Sequence, residues 1–161
     1  MRIVMTTPIA ALLVLVAAVA AAAETEYRPG PPAFSYVWGR FYTSTPHEPE
    51  LMDPLIEAGP KMTQAICEAV LHKDMMYRRY AIGALGFIGD RGALPTLERI
   101  INDGSEKDYF RGDALQAVYH IDKVLGRRRA EQYLHGPEYL KMISEAIKRN
   151  EQWLTERPRE H

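Results

Sequence analysis

The sequence predicts an all-α protein, a short right-handed α-solenoid of about three helical hairpins behind an extended N-terminal arm. Three observations carry that prediction. The first is a repeat. Residues 78–90 read Arg-Arg-Tyr-Ala-Ile-Gly-Ala-Leu-Gly-Phe-Ile-Gly-Asp, and 33 positions further on residues 111–122 read Arg-Gly-Asp-Ala-Leu-Gln-Ala-Val-Tyr-His-Ile-Asp. Arg78 falls on Arg111, Ala81 on Ala114, Ala84 on Ala117, Leu85 on Val118 and Ile88 on Ile121. A fixed period in the range of tens of residues marks stacked supersecondary units, each too small to bury its own apolar face. The second observation is that the apolar residues inside each copy follow helical spacing. The third is that turn-forming clusters close the stripes: Gly89-Asp90-Arg91-Gly92, Asn102-Asp103-Gly104 and His135-Gly136-Pro137.

The elements follow in order. Residues 1–23 read as a secretory signal peptide. Met1-Arg2 is a minimal positive start, Ile9–Ala23 is an unbroken apolar run, and Ala21-Ala22-Ala23 before Glu24 suits cleavage after small residues. The alternative is an uncleaved anchor facing outside the cytoplasm, since about 20 apolar residues span a bilayer. Thr6, Thr7 and Pro8 interrupt the stretch and favour cleavage. The expected location is therefore the periplasm or the exterior, with no stable membrane insertion after cleavage. No cysteine stands beside the cleavage site to take a lipid.

Residues 24–50 form the arm. Pro29, Pro31, Pro32, Pro46 and Pro49 exclude a helix through its proline-dense ends. Between them Phe34, Tyr36 and Trp38 alternate with Ala33, Ser35 and Val37, a period of two that predicts an extended segment. The aromatic residues have two readings. They cap the first helices, as terminal units of a solenoid require, or they form a partner-binding patch.

Residues 51–157 are the helical domain, and residues 158–161 are a tail. Asp53-Pro54 predicts an N-cap followed by proline at the first helical position. Gly59-Pro60 breaks or restarts the helix. Met62, Ile66, Ala69 and Val70 make the next stripe, and His72-Lys73-Asp74 the connection. Tyr77, Ala81, Ala84, Leu85 and Ile88 follow, with Gly83 and Gly86 predicting close approach of a neighbouring helix. Ala93, Leu97, Ile100 and Ile101 mark another helix, with Pro95 tolerable in its first turn. Ser105 with Asp108 suggests a capping box before the stripe from Phe110 to Ile121. The period then carries Leu97, Ile100 and Ile101 onto Ala130, Tyr133 and Leu134, so a third unit begins around Lys123–Leu134. Leu140, Ile143, Ile147 and Leu154 lie on a last, longer helix.

The stretch Arg78-x-x-Ala81-x-x-x-Leu85-x-x-Ile88-x-Asp90-x-x-Ala93-x-x-x-Leu97-x-x-x-Ile101-x-Asp103, repeated at Arg111-x-x-Ala114-x-x-x-Val118, resembles HEAT repeats. It is similar in particular to the short bacterial HEAT-like type also found in phycobilisome lyases. The resemblance covers residues 62–134. Two places depart from it: the Gly104–Lys107 loop is about two residues long in excess, and Gly126 stands where the pattern has Ala. The resemblance implies an α-solenoid used as a scaffold or binding surface. It also implies structural roles for Arg78 and Arg111, which would bond carbonyls or acids at the turns, and for Asp90 and Asp103, which would cap or bridge helices. Lyase activity does not carry over, because nothing here supplies a chromophore site.

Composition narrows the function further. A net charge of −1 gives no support for nucleic-acid binding and little for attraction to anionic membranes. Cys67 is the only cysteine, so no internal disulfide can form. It reads as a small core residue, with an intermolecular disulfide as the sharper alternative. His47, His72, His120, His135 and His161 include no pair four apart and no His-Glu-x-x-His, so neither a metal nor another cofactor is expected. The glycines at 83, 86 and 89 lack the preceding strand of a dinucleotide site. No Gly-x-Ser-x-Gly nucleophile occurs, and no catalytic residue is assigned. Arg127-Arg128-Arg129 is the one basic cluster, a solvated helix start or a seat for an acidic group.

The function expected from all this is an exported, non-catalytic interaction module or scaffold whose partner is another protein. Its candidate contact residues are Tyr36, Trp38, Phe41, Tyr42, Arg127 and Arg128. One alternative is an accessory or lyase-like cofactor-handling protein, which would need a polar cluster such as His120, Asp122 and Arg79. Another is an immunity-type inhibitor of an exported toxin.

Overall fold

The computed structural model describes residues 34–43 and 50–155. Residues 1–33, which include the segment expected to be a signal peptide, residues 44–49 of the arm, and residues 156–161 lie outside the described residues.

All regular structure among the described residues is helical: α1 (Ser35–Thr43), α2 (Asp53–Ala58), α3 (Thr63–Ala69), α4 (Arg78–Ile88), α5 (Leu94–Asn102), α6 (Asp108–Ile121), α7 (Lys123–Gln132) and α8 (Glu138–Arg149). Short 3₁₀ turns at Gly59–Met62, Arg91–Ala93 and Gln152–Leu154 join or follow them. Helix α6 is the hub. It packs on α4, α5, α7 and α8, so α4, α6 and α8 lie side by side in one row. Helix α3 packs on α4, α5 on α6, and α7 on both α6 and α8. At the other end α1 packs on α2, which packs on α4. Side chains from every helix feed one continuous core, including Phe41, Leu55, Ile66, Leu85, Leu115 and Ile143.

The close approach expected of the α4 glycines is made by Gly86. A Cβ there would meet the Ala117 Cα of α6 at 2.9 Å. Gly83 has only an ordinary contact with the Met52 sulfur at 3.5 Å.

The extended segment predicted over Phe34–Trp38 is instead α1. Phe34, Val37, Trp38 and Phe41 are spaced by three, one and three, which is a helical stripe as well as part of an alternating one. Packing on the first helices selects the helical reading. Trp38 and Phe41 are buried, and the Phe41 ring stands 6.1 Å from that of Tyr77. Tyr36, on the opposite face, is 77% exposed.

Three further expectations about helix ends are corrected. Asp53 is the first residue of α2, and Met52 precedes it as a cap without a side-chain bond. Ser105 and Asp108 form no capping box, because the Ser105 hydroxyl turns back to Asp103 at 2.6 Å. The Asp108 carboxylate instead accepts from the amides of Tyr139 (2.6 Å) and Leu140 (2.9 Å), capping the start of α8 from the start of α6. Finally, Leu154 does not belong to the last helix. Asn150 adopts a left-handed conformation (φ 57°) and ends α8. Its amide bonds Ile147 O and the Glu151 amide bonds Ala146 O, the paired bonds of a Schellman stop.

Because Asp108 satisfies two of the four orphan amides of α8, Asp108→Ala is expected to lower stability by about 1 kcal/mol. The urea midpoint of unfolding, followed by circular dichroism, measures it. An unchanged midpoint would mean that water caps α8 equally well.

The repeat residues occupy equivalent places. Arg78 Nε donates to Val70 O at 2.7 Å, and Arg111 Nε to Ile101 O at 2.8 Å, each at the end of the preceding helix. Each guanidinium then lies over a ring of the next unit, Phe110 at 4.4 Å and Tyr133 at 5.6 Å. Asp90 accepts from the Gly92 amide at 2.9 Å and starts the turn before α5. Asp103 accepts from Lys73 Nζ at 2.8 Å and from the Ser105 amide, which ties the loops of neighbouring hairpins. These bonds, that of Lys73 foremost, hold the Asp103 carboxyl far below the usual carboxylate range.

Candidate functional site

The row of α4, α6 and α8 carries a cleft of about 300 Å³. Its position follows from helical spacing. Arg79, Tyr80, Gly83 and Phe87 succeed one another along one side of α4, and Asp113, Gln116, Ala117 and His120 do the same on α6. Tyr139 of α8, Met52 before α2 and Trp153 of the final turn complete the lining. Gly83 leaves the floor open where any other residue would place a side chain.

One end of the cleft is a polar network. Arg79 grips Asp113 with two bonds, Nε to Oδ2 at 2.6 Å and Nη2 to Oδ1 at 3.0 Å. Arg79 Nη2 also donates to Tyr139 Oη at 2.9 Å, and that hydroxyl donates to Asp113 Oδ1 at 2.9 Å. The guanidinium lies 5.4 Å from the Tyr109 ring centre and 5.5 Å from that of Tyr139. The bond to Asp113 raises the Arg79 pKa. Burial, with the Asp113 charge, pushes the Tyr139 phenol up to about 12. Both groups therefore keep their protons at any physiological pH.

The other end is aromatic and is closed by the chain that follows α8. Leu154 is fully buried, and its carbonyl accepts from Gln116 Nε2 at 3.0 Å and from His120 Nε2. The His120 ring meets Phe87 edge to face, 4.7 Å between centres. Burial pushes the His120 pKa below its ordinary value, against the opposing pull of the Leu154 carbonyl. Its imidazole is thus neutral near pH 7 and serves as a donor to the strap. Trp153 remains 47% exposed, its indole N–H directed to Glu151.

The predicted contact residues are scattered. Trp38 and Phe41 are buried in the core, where they are not presented to solvent. Tyr42 is half-buried and stacks on Trp38 at 6.1 Å. Tyr36 faces solvent. Arg127 and Arg128 are exposed on α7, and neither lines the cleft. Arg127 donates to Asn150 Oδ1 at 3.0 Å. The third arginine of that run, Arg129, is spent on a forked pair with Glu98 at 2.8 and 2.7 Å.

The polar cluster named for the cofactor-handling alternative is half assembled. Arg79 and His120 share the cleft. Asp122 does not: it caps α7 through the amides of Val124 and Leu125 and pairs with Arg91 at 2.9 Å. Asp113, Tyr139, Gln116 and Trp153 were not singled out from the sequence. The available signal was that Tyr80 and Asp113 are one period apart, which places both on the same face of the helix row.

Cys67 is buried, and burial pushes its thiol pKa up, which keeps it protonated and weakly nucleophilic. Among the described residues no group of three or more His, Cys, Asp and Glu side chains comes together as a metal site. None of the described helices is long and apolar enough to cross a membrane.

Comparison with protein-family models, with curated proteins and with solved structures finds no match to this chain.

Proposed function

We propose that this chain is an exported HEAT-like α-solenoid that binds another protein, without catalysis, through the face formed by α4, α6 and α8. The cleft on that face is the observation that carries the reading. It is mostly apolar and aromatic with a few convergent polar groups, which is the usual make-up of a binding site. Its volume lies at the low end of small-molecule sites, which start at about 300 Å³. That suits one or two anchoring side chains of a partner better than a large cofactor. Tyr, Trp and Arg, the types that dominate interface hot spots, are all present in Tyr80, Trp153 and Arg79. The polar groups are bonded to one another and to the strap, a poor arrangement for proton transfer to a substrate. The equivalent bonds of Arg78 and Arg111, one period apart, support the repeat reading.

The test is crosslinked capture from the native host with the tagged full chain, its Trp153→Ala variant and its Arg128→Ala variant. The wild type and Arg128→Ala should recover the same intact partner. Trp153→Ala should recover it with affinity reduced about 30-fold, the effect of losing a hot spot of about 2 kcal/mol. Equal recovery by all three, or recovery of a partner cleaved or modified by the chain, would refute the reading.

A further inference from the structure

The aromatic end of the cleft holds two bare acceptors. The Leu154 carbonyl has only lone pairs to offer, so each side chain bonded to it must turn a donor towards it. Gln116 spends its Nε2 there, and His120 its Nε2. Gln116 Oε1 and His120 Nδ1 are thereby turned away from Leu154. Burial keeps the imidazole neutral near pH 7, so Nδ1 carries a lone pair and no proton. Neither Oε1 nor Nδ1 bonds another of the described residues, and neither is sealed from solvent. Gln116 and His120 stand four apart on α6, which makes them neighbours on one helix face, and both line the cleft. Phe87, edge to face with His120, holds that ring in place.

Trp153 stands beside this pair. Its indole N–H is spent on Glu151, which fixes the exposed ring and leaves it no donor. Of the charges around this end, Glu151 pairs with Arg149 at 2.6 Å, and Lys123 is exposed, where solvent screens it. The Arg79 guanidinium is balanced by Asp113, seven residues and about 10 Å before His120 along α6.

Two fixed acceptors beside a tryptophan ring complement a group that carries positive charge and donors alone. A carboxylate would meet lone pairs with lone pairs, and a hydroxyl has a single donor for two acceptors. A guanidinium has five donors in a planar fork and stacks on aromatic rings. Its methylene stem is apolar and suits the Met52 and Ala117 part of the lining.

We infer that the cleft takes an arginine side chain of the partner protein, its guanidinium shared between Gln116 Oε1, His120 Nδ1 and the ring of Trp153. The inference rests on the protein-binding reading of the cleft.

The experiment titrates the full chain with Nα-acetylarginine amide and follows the emission of Trp153, since Trp38 is 4% exposed and responds little. The change should saturate with a dissociation constant of about 1 mM, the scale for a ligand of this size. Nα-acetylcitrulline amide, similar in shape but uncharged, should bind about tenfold more weakly, and Nα-acetylglutamate amide should give no saturable change. Gln116→Met should weaken the arginine probe about tenfold, the loss of one hydrogen bond to a charged group. The probe series on the wild type decides the matter if that variant does not fold. Equal binding of the arginine and citrulline probes, stronger binding of the glutamate probe, or an arginine affinity unchanged in folded Gln116→Met overturns the inference. So does a response to the arginine probe seen only after Arg157→Ala and Arg159→Ala together, which would make an arginine of this chain the occupant. Partner capture that requires Trp153, with no response to the arginine probe, strikes this inference alone. Capture indifferent to Trp153, with the arginine probe bound, strikes the protein-binding reading and with it the partner's side chain as occupant.

Discussion

Gly126→Ala is expected to lower the stability of the fold by about 3 kcal/mol or more, the upper range for overpacking a tight contact. A Cβ at Gly126 would stand 2.5 Å from the Cα of Tyr119, 2.7 Å from its Cβ and 3.0 Å from its amide nitrogen. Two of these are backbone atoms, so no rotamer change relieves the clash. Helix α7 would have to draw away from α6, the hub on which it packs. Tyr119, which is buried and bonds Asn150 Oδ1 at 2.7 Å, would move with it. Alanine in a helix interior is worth up to about 1 kcal/mol over glycine, so packing outweighs propensity and sets the sign. Gly39→Ala supplies the contrast. It lies in α1, where among the described residues no atom beyond its own helix backbone and chain neighbours would come within 4 Å of a Cβ, and the same change there should stabilise by up to about 1 kcal/mol. Urea midpoints of the two variants against wild type decide the matter. A Gly126→Ala midpoint equal to that of Gly39→Ala would mean that α6 and α7 are not in close contact in solution.

Gly126 also shows what a repeat pattern can and cannot convey. The 33-residue period located helices α4 to α7, because stripe spacing and turn residues agree wherever a helix buries one face. It marked Gly126 and the Gly104–Lys107 loop only as departures. Their reasons are tertiary: one admits a neighbouring backbone, and the other delivers Glu106 into the interior. The alternating aromatic residues of α1 fit two periods at once over so short a stretch, and only the core against which they pack distinguishes them. Asp108 looked like part of a local cap, yet its acceptors serve a helix that begins thirty residues later. The cleft was the least legible feature. Arg79 and Tyr139 are bonded across 60 positions, and Trp153 arrives through a strap that a left-handed Asn150 sets up. Sequence spacing carries no signal for a contact made by three helices and a turn.

The buried ion pair between Arg78 and Glu106 yields the second large effect. Arg78 Nη2 and Glu106 Oε2 are 2.6 Å apart, and both side chains are nearly inaccessible to solvent. The Glu106 carboxylate also accepts from the Lys107 amide at 3.0 Å. Arg78 spends Nε on Val70 O, lies over Phe110, and leaves Nη1 without a hydrogen bond among the described residues. Among the described residues no other carboxylate is paired with this guanidinium. Glu106→Gln keeps the volume and an acceptor oxygen but leaves the arginine charge uncompensated in the core. Breaking one side of a buried pair costs about 3 kcal/mol or more, and that loss is expected here near pH 7. The pH dependence follows from the carboxyl itself. Burial alone would raise its pKa, but the bonds from Arg78 and Lys107 outweigh burial and hold it below the ordinary value. A carboxyl with a lower pKa folded than unfolded stabilises fully above its unfolded value, about 4.3. It loses that contribution as the pH falls through the folded value. The gap in urea midpoint between wild type and Glu106→Gln should therefore be wide near neutrality and close progressively below about pH 4. A gap that stays constant down to acid pH would mean that Glu106 acts through packing rather than charge. A negligible gap at neutrality would mean that the Arg78 guanidinium reaches water, and that the loop carrying Glu106 does not close over the α3–α4 hairpin in solution.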